Sequence, residues 1–139
     1  MKDLIDLIGR TLLSVIFFFE AYDSIRYFGP TKETMTQYGL TWRQDMLLSG
    51  AIVLLILGAT LILIGYRSAF GATLLLLYWV PVTFIVHSFW DVPGPELREA
   101  SISFMKNIAI TGGLLMIYVN GAGKYSVKRL FATSRVPGA

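Results

Sequence analysis

The charged positions along the chain fall at intervals that isolate long apolar runs. Asp45 and Arg67 bracket 21 uncharged residues, and Arg67 and Asp91 bracket 23. Lys106 and Lys124 bracket a further 17, with the helix expected to begin earlier, near Ser101. About 20 apolar residues in a helix cross the hydrocarbon of a bilayer, so each run predicts a spanning helix. A fourth stretch, residues 4–28, carries Asp6, Arg10, Glu20, Asp23 and Arg26 and leaves nine consecutive uncharged residues, 11–19. A helix lying on the membrane surface would need a polar face through this stretch. Residues 12–19 are apolar all round except Ser14, which favours a span.

The expected fold is all-α: an integral membrane four-helix antiparallel bundle, with spans near residues 4–28, 42–66, 68–90 and 101–120. Residues 1–125 form one transmembrane domain. Residues 126–139 form a basic tail that ends Val136-Pro137-Gly138-Ala139. The turn at residues 65–68 forces the second and third helices into a hairpin. Gly29-Pro30 ends the first helix, and Thr41 is placed as the N-cap of the second. Pro93-Gly94-Pro95 breaks the chain after the third, and Ser101 or Ser103 caps the fourth. Pro81 is expected to kink the third helix and free the carbonyl of Leu77. Ser68-x-x-x-Ala72 and Ala109-x-x-x-Gly113 are small-residue spacings that report close helix packing.

Composition agrees with the pattern. Of 139 residues, 55% are apolar and 15% charged, and the mean hydropathy is +0.62. Soluble domains lie nearer about 45–50% apolar and about 25% charged. The net charge of +3 does not point to nucleic acid, because the basic residues lie scattered at the ends of apolar runs. With no cysteine in the chain, disulfides, thiol relays, thiolate zinc sites and cysteine-ligated iron–sulfur clusters are excluded. A lone histidine cannot build an ordinary zinc, copper or bis-histidine haem site, so no metal is expected. Asp3 and Asp6 spoil the basic region of a signal peptide and no small-x-small site follows, so the first helix reads as an uncleaved anchor.

Four spans place both termini and the turn at Arg67 on one side. That side holds seven basic and two acidic residues, whereas the other holds five basic and seven acidic. By the lysine and arginine rule both termini are cytoplasmic. The chain then reads as a multi-pass membrane protein.

Ionisable residues at membrane depth are costly and mark candidate sites. Most of them collect in the expected outer half. Glu20, Asp23 and Arg26 recur at three-residue steps on the first helix, as one ladder. Thr83, His87 and Asp91 recur at four-residue steps on the third, where Asp91 would raise the histidine's pKa. Ser103, Asn107 and Thr111 form a polar stripe on the fourth, with Lys106 beside it. The candidate polar site is therefore Glu20, Asp23, Arg26, His87, Asp91, Lys106 and Asn107, with Glu20 or Asp23 expected to pair with Lys106. The plainer readings are that Lys106 snorkels outward, that His87 is structural, and that the tryptophans anchor the interface.

The sequence also resembles the DoxX family of small four-helix bacterial inner-membrane proteins, over residues 8–130. The likeness rests on Gly9-Arg10, on Gly58-Ala59 through Gly65-Tyr66-Arg67, and on Phe84-x-x-His87-Ser88-Phe89-Trp90. Its fullest piece is Phe104-Met105-Lys106-Asn107 followed by Gly112-Gly113-Leu114-Leu115. Two departures stand out: Leu55 occupies the place of a glutamate common in the second helix of relatives, and the small-residue/lysine pattern after the first helix is missing. The resemblance implies association with quinone-linked oxidation, with quinone as the cofactor to be borrowed. The residues themselves show no redox centre. Two functions follow: an accessory or assembly subunit of a larger membrane complex, or a membrane subunit of a quinone-linked oxidoreductase. A solute pathway is a third, for which four short helices leave little room in a single copy. The expected partners are the lipid bilayer and either further copies or a larger membrane complex, and not nucleic acid.

Overall fold

The computed structural model describes residues 1–133. Six α-helices and one short 3-10 turn are formed among them: α1 (Lys2–Arg26), α2 (Phe28–Gln37), α3 (Gln44–Ile64), α4 (Ser68–Val86), the turn Gly94–Glu96, α5 (Leu97–Asn120) and α6 (Val127–Thr133). The protein is all-α. Three helical segments are long and apolar enough to cross a membrane: Gln44–Ile64, Ser68–Ile85 and Gly94–Asn120. The helix α1 falls outside that set because of its charges.

The expected count of four helices is corrected by α2 and α6. Gly29-Pro30 does not end the first helix. Instead α1 stops at Arg26, Tyr27 breaks it, and Pro30 sits in the first turn of α2, where its missing N–H leaves nothing unsatisfied. Gln44 then closes α2 from outside, its Nε2 donating to the carbonyls of Lys32 and Leu40 and to Thr36 Oγ1. Lys32 pairs with Asp45 at 2.7 Å. The second span begins at Gln44 rather than at residue 42, with Arg43 and not Thr41 at its N-cap. Neither Ser101 nor Ser103 caps α5, which starts four residues earlier at Leu97. The helix continues through Pro81, with Thr83 Oγ1 donating to the Trp79 carbonyl two residues beyond. In the tail, α6 occupies the first residues; residues 134–139, including Arg135 and the Val136-Pro137-Gly138-Ala139 end, lie outside the described part.

The long helices pack in a row that curls on itself. α3 lies between α1 and α4, and α4 lies between α3 and α5. α1 approaches α5 where Leu13 stands near Gly113. The core joins Phe17 and Ala21 of α1, Leu55, Ala59 and Ile62 of α3, Ala72, Leu75 and Trp79 of α4, and Leu114 of α5. Phe17 and Trp79 meet edge to face, with ring centroids 5.1 Å apart, a geometry that suits the quadrupoles of the two rings.

Two glycines set the α3–α4 distance. A β-carbon on Gly58 would lie 2.9 Å from the Gly71 carbonyl oxygen, and one on Gly71 would lie 2.9 Å from the Gly58 carbonyl oxygen. The backbones therefore touch, which is how helices gain dispersion contact when lipid supplies no hydrophobic drive. Of the two small-residue spacings, Ser68 and Ala72 lie on this packed side and are buried, whereas Ala109 is exposed. Substitution Gly71→Val is expected to destabilise the protein by about 1–3 kcal/mol through overpacking. Thermal unfolding in detergent measures it, with Gly112→Ala as a control, since a β-carbon there meets open space.

Candidate functional site

The residues expected to form one polar cluster are distributed differently. Glu20 is half-buried and accepts a hydrogen bond from the Tyr78 hydroxyl at 3.5 Å. Asp23 is exposed. Arg26 does not ladder with Asp23 but turns to the Tyr22 hydroxyl at 3.4 Å and over the Tyr27 ring at 5.7 Å. Asn107 enters through its backbone: its carbonyl accepts from Trp79 Nε1 at 3.1 Å and from Thr111 Oγ1 at 2.9 Å. That contact turns Asn107 toward α4. The next position back is rotated about 100° around the helix, and Lys106 is accordingly exposed on the far side. It borders a shallow groove of about 410 Å³ with Ser101, Ile102, Met105 and Ala109. The expected Glu20–Lys106 or Asp23–Lys106 pair is not formed among the described residues.

His87 follows the last residue of α4, outside the span. Because the helix ends at Val86, the four-residue step from His87 to Asp91 is no longer a helical step, and Asp91 is exposed. Burial pushes the His87 pKa below its ordinary 6.5, where proximity to Asp91 was expected to raise it. Around this end Phe104 gathers Phe84, Phe89 and Trp90, with ring centroids 5.3–5.8 Å away. The apolar positions of the two motifs that flank His87 and Lys106 thus form an aromatic cap over the α4–α5 junction.

The most heavily bonded polar group lies at the opposite end. Arg10 is 1% exposed. Its Nε donates to Asp6 Oδ2 at 2.8 Å, and its Nη1 donates to the carbonyls of Ile62 at 3.0 Å and Leu63 at 2.9 Å. Its Nη2 donates to the Tyr125 carbonyl at 2.6 Å. Asp6 Oδ2 also accepts from the Gly123 N–H, and Asp3 Oδ1 from the Lys124 N–H. One guanidinium therefore ties α1 to the C-terminal carbonyls of α3 and to the segment after α5. Carbonyls at a helix end lack intrahelical donors and carry the negative end of the dipole, so a cation there is doubly favoured. Gly65 makes room: at φ +70°, its missing β-carbon would lie 2.9 Å from Arg10 Nη1 and 2.5 Å from Ser126 Cβ.

Sequence reasoning used Arg10 only for orientation and for likeness. A signal was present. Arg10, Ser14, Phe17, Ala21 and Ser24 recur at steps of four and three, and these are the buried residues of α1. The helix thus turns the side with Arg10, two serines, Ala21 and Phe17 inward, and the side with Leu12, Val15 and Phe19 outward. Ser14 Oγ is buried without a hydrogen-bond partner one turn beyond Arg10.

The matched region of a family model runs over residues 43–130, from the start of α3 into α6, and that model is the SURF4 family. The chain belongs to the SURF4 family. This overturns the DoxX resemblance, and with it goes the support for quinone-linked oxidation, since no residue carried that reading independently. Among similar proteins, Inner membrane protein YphA of Escherichia coli is 28% identical over 88% of this chain and 87% of its own length. Inner membrane protein YqjF of the same organism is 28% identical over 94% of each. Surfeit locus protein 4 homolog of Schizosaccharomyces pombe is 31% identical over 64% of this chain, which spans only 29% of that relative. No solved structure matches the chain. The relatives and the three apolar helices agree on a multi-pass inner-membrane protein of this family.

The two polar loci differ in what they hold up. Arg10→Leu should cost about 1–3 kcal/mol, because Asp6 loses its cation and the carbonyls of Ile62, Leu63 and Tyr125 lose a donor that joins three segments. Abundance and thermal stability in detergent report it. Lys106→Met should stay within about 0.5 kcal/mol, as expected of a surface site. For His87, a folded pKa below 6.5 means that the unfolded chain binds the proton more readily. Its contribution to stability is therefore complete above pH 6.5 and is lost as pH falls through the folded value. His87→Gln should flatten that part of the stability–pH curve, as followed by denaturation at pH 5 and pH 7.5.

Proposed function

We propose that this SURF4-family chain is a four-span inner-membrane accessory protein that docks on a larger membrane protein. In this reading α1 is the fourth span, both termini are cytoplasmic, and residues 126–139 form a cytoplasmic tail. The observation that carries it is the division of polar groups. Inward-facing Arg10, Glu20 and Trp79 are occupied by bonds within the chain, while Asp23, Arg26 and Asp91 stay exposed at the end that the orientation rule places outside. Interior groups consumed by structural bonds suit a scaffold. Exposed charges of both signs and an exposed aromatic such as Trp90 suit recognition of another protein's surface. The seven candidate residues act here as a recognition end, with Glu20 and Asn107 stiffening it from within, and no bound cofactor is invoked.

The bonding of α1 supports its assignment as a span. An unmatched arginine within a spanning helix opposes insertion, but Arg10 sits level with the end of α3 and faces the bundle with its donors matched. Cysteines placed singly at Lys2 and Arg129 should label only from the cytoplasmic side, and cysteines at Thr34 and Glu96 only from the outer side. Labelling of Lys2 and Thr34 from one side would remove α1 as a span. For docking, a photo-crosslinker at Trp90 or Asp91 in native membranes should give an adduct with a larger membrane protein. Charge reversal by Asp23→Lys with Asp91→Lys should weaken it. Adducts with lipid alone would overturn the docking reading.

A further inference from the structure

The end of the bundle that holds Arg10 also carries the segment after α5 and the short helix α6 that follows it. Gly121 closes α5, and the residues after it are fastened to other helix ends. Arg10 Nη2 reaches the Tyr125 carbonyl while Nη1 holds the last carbonyls of α3. The segment is therefore level with the end of a helix long and apolar enough to cross a membrane. Ser126 is buried beside Gly65, in the turn between α3 and α4. α6 thus starts at a fixed place, where hydrocarbon gives way to headgroups.

The same contacts sort the charges. Asp3 accepts from the Lys124 N–H, and Asp6 from the Gly123 N–H and from Arg10. Both carboxylates are thereby engaged with the bundle, whereas the side chains of Lys2, Arg67, Lys124 and Lys128 are exposed. Among these cations Tyr125 is 59% and Leu130 69% exposed. The lysine and arginine rule accounts for the sign of the charge, but not for a tyrosine and a leucine left open between the lysines. Length adds a second point. α6 has seven residues, and isolated helices shorter than about 12–15 residues are marginal in water. A surface that takes both apolar bodies and cations would hold it.

We infer that Lys124, Tyr125, Lys128 and Leu130 form a docking surface for acidic phospholipid headgroups, with α6 lying along the leaflet beside the bundle. Lysine ammonium groups meet headgroup phosphates, while the tyrosine ring and the leucine enter the boundary of the acyl chains. The fastening of residues 121–126 favours this contact, because the segment is ordered before any lipid arrives. The inference takes from the four-span reading only that this end faces the cytoplasmic leaflet, and it uses nothing of the docking at the outer end.

The chain has no cysteine, so one spin label on Leu130→Cys reports the depth of α6. The full-length chain is placed in nanodiscs of phosphatidylcholine with increasing proportions of phosphatidylglycerol. Accessibility to oxygen should rise and accessibility to a water-soluble nickel chelate should fall as phosphatidylglycerol increases. A label on Thr34→Cys, at the other end, should not follow. Lys124→Gln with Lys128→Gln should raise the proportion needed for half the change at least about threefold, with thermal stability kept. The cysteine-free chain gives an independent measure: native mass spectrometry should find phosphatidylglycerol retained over phosphatidylcholine, and the double variant should lose that preference. A label that stays in water at every composition, or one equally deep in phosphatidylcholine alone, would overturn the proposal. So would a response to free glycerol phosphate without acidic lipid, which would mark a site for a soluble anion. Nanodiscs present the same lipids on both faces, so these outcomes stand apart from the topology, which the labelling of Lys2 and Thr34 decides.

Discussion

The structure turns on one buried guanidinium. Arg10 contributes donors to α1's own Asp6, to the last carbonyls of α3 and to the carbonyl of Tyr125. Without it, Asp6 would lose its cation and keep only the Gly123 N–H, and the Leu63 and Tyr125 carbonyls would lose the donor that joins them to α1. Arginine suits the position because its planar fork offers several donors at fixed angles, which a lysine cannot match. The glycine at position 65 is a consequence of the same contact, since any side chain there would occupy the space the guanidinium and Ser126 fill.

From this anchor the helices acquire distinct roles. α3 and α4 are drawn backbone to backbone at Gly58 and Gly71 and form the rigid middle. α1 covers α3 with an inward face of Arg10, Ser14, Phe17, Ala21 and Ser24. α5 packs on α4 through Trp79, Phe17's edge-to-face partner, whose indole reaches the Asn107 carbonyl. Only a minority of α5 is covered by the rest of the chain. The middle of the bundle is thus fixed by backbone contact, while the flank formed by α5 stays open.

Family membership refines this picture without supplying a chemistry. The match covers α3, α4 and α5 and reaches α6, leaving out α1 and α2. Full-length similarity is found with inner-membrane proteins of bacterial size, while the fission-yeast relative is more than twice as long as this chain. The glycine-lined α3–α4 contact and the Trp79–Asn107 bridge lie inside the matched region, whereas the Arg10 anchor reaches into it from outside.

Much of the architecture was legible in the residues. Uninterrupted apolar runs declared α3, α4 and α5, because a membrane imposes length and hydropathy on any segment that crosses it. The positions of charge along those runs were enough to exclude a soluble domain. The site was less legible. Glu20, His87, Asp91 and Lys106 were grouped by depth and by spacing along each helix, yet neither fixes which neighbour a helix face meets. The rotation of α5 that turns Asn107 to Trp79 and Lys106 outward depends on how Leu114 and Ile110 pack against α4, and so on partners distant in sequence. α2 escaped notice because Gly-Pro reads as a terminator when it can equally occupy a helix's first turn. Arg10 escaped because a single arginine near a helix end looks like an interfacial charge. Its acceptors, the carbonyls of residues 62, 63 and 125, are backbone atoms that every sequence possesses, and only the tertiary fold brings them together.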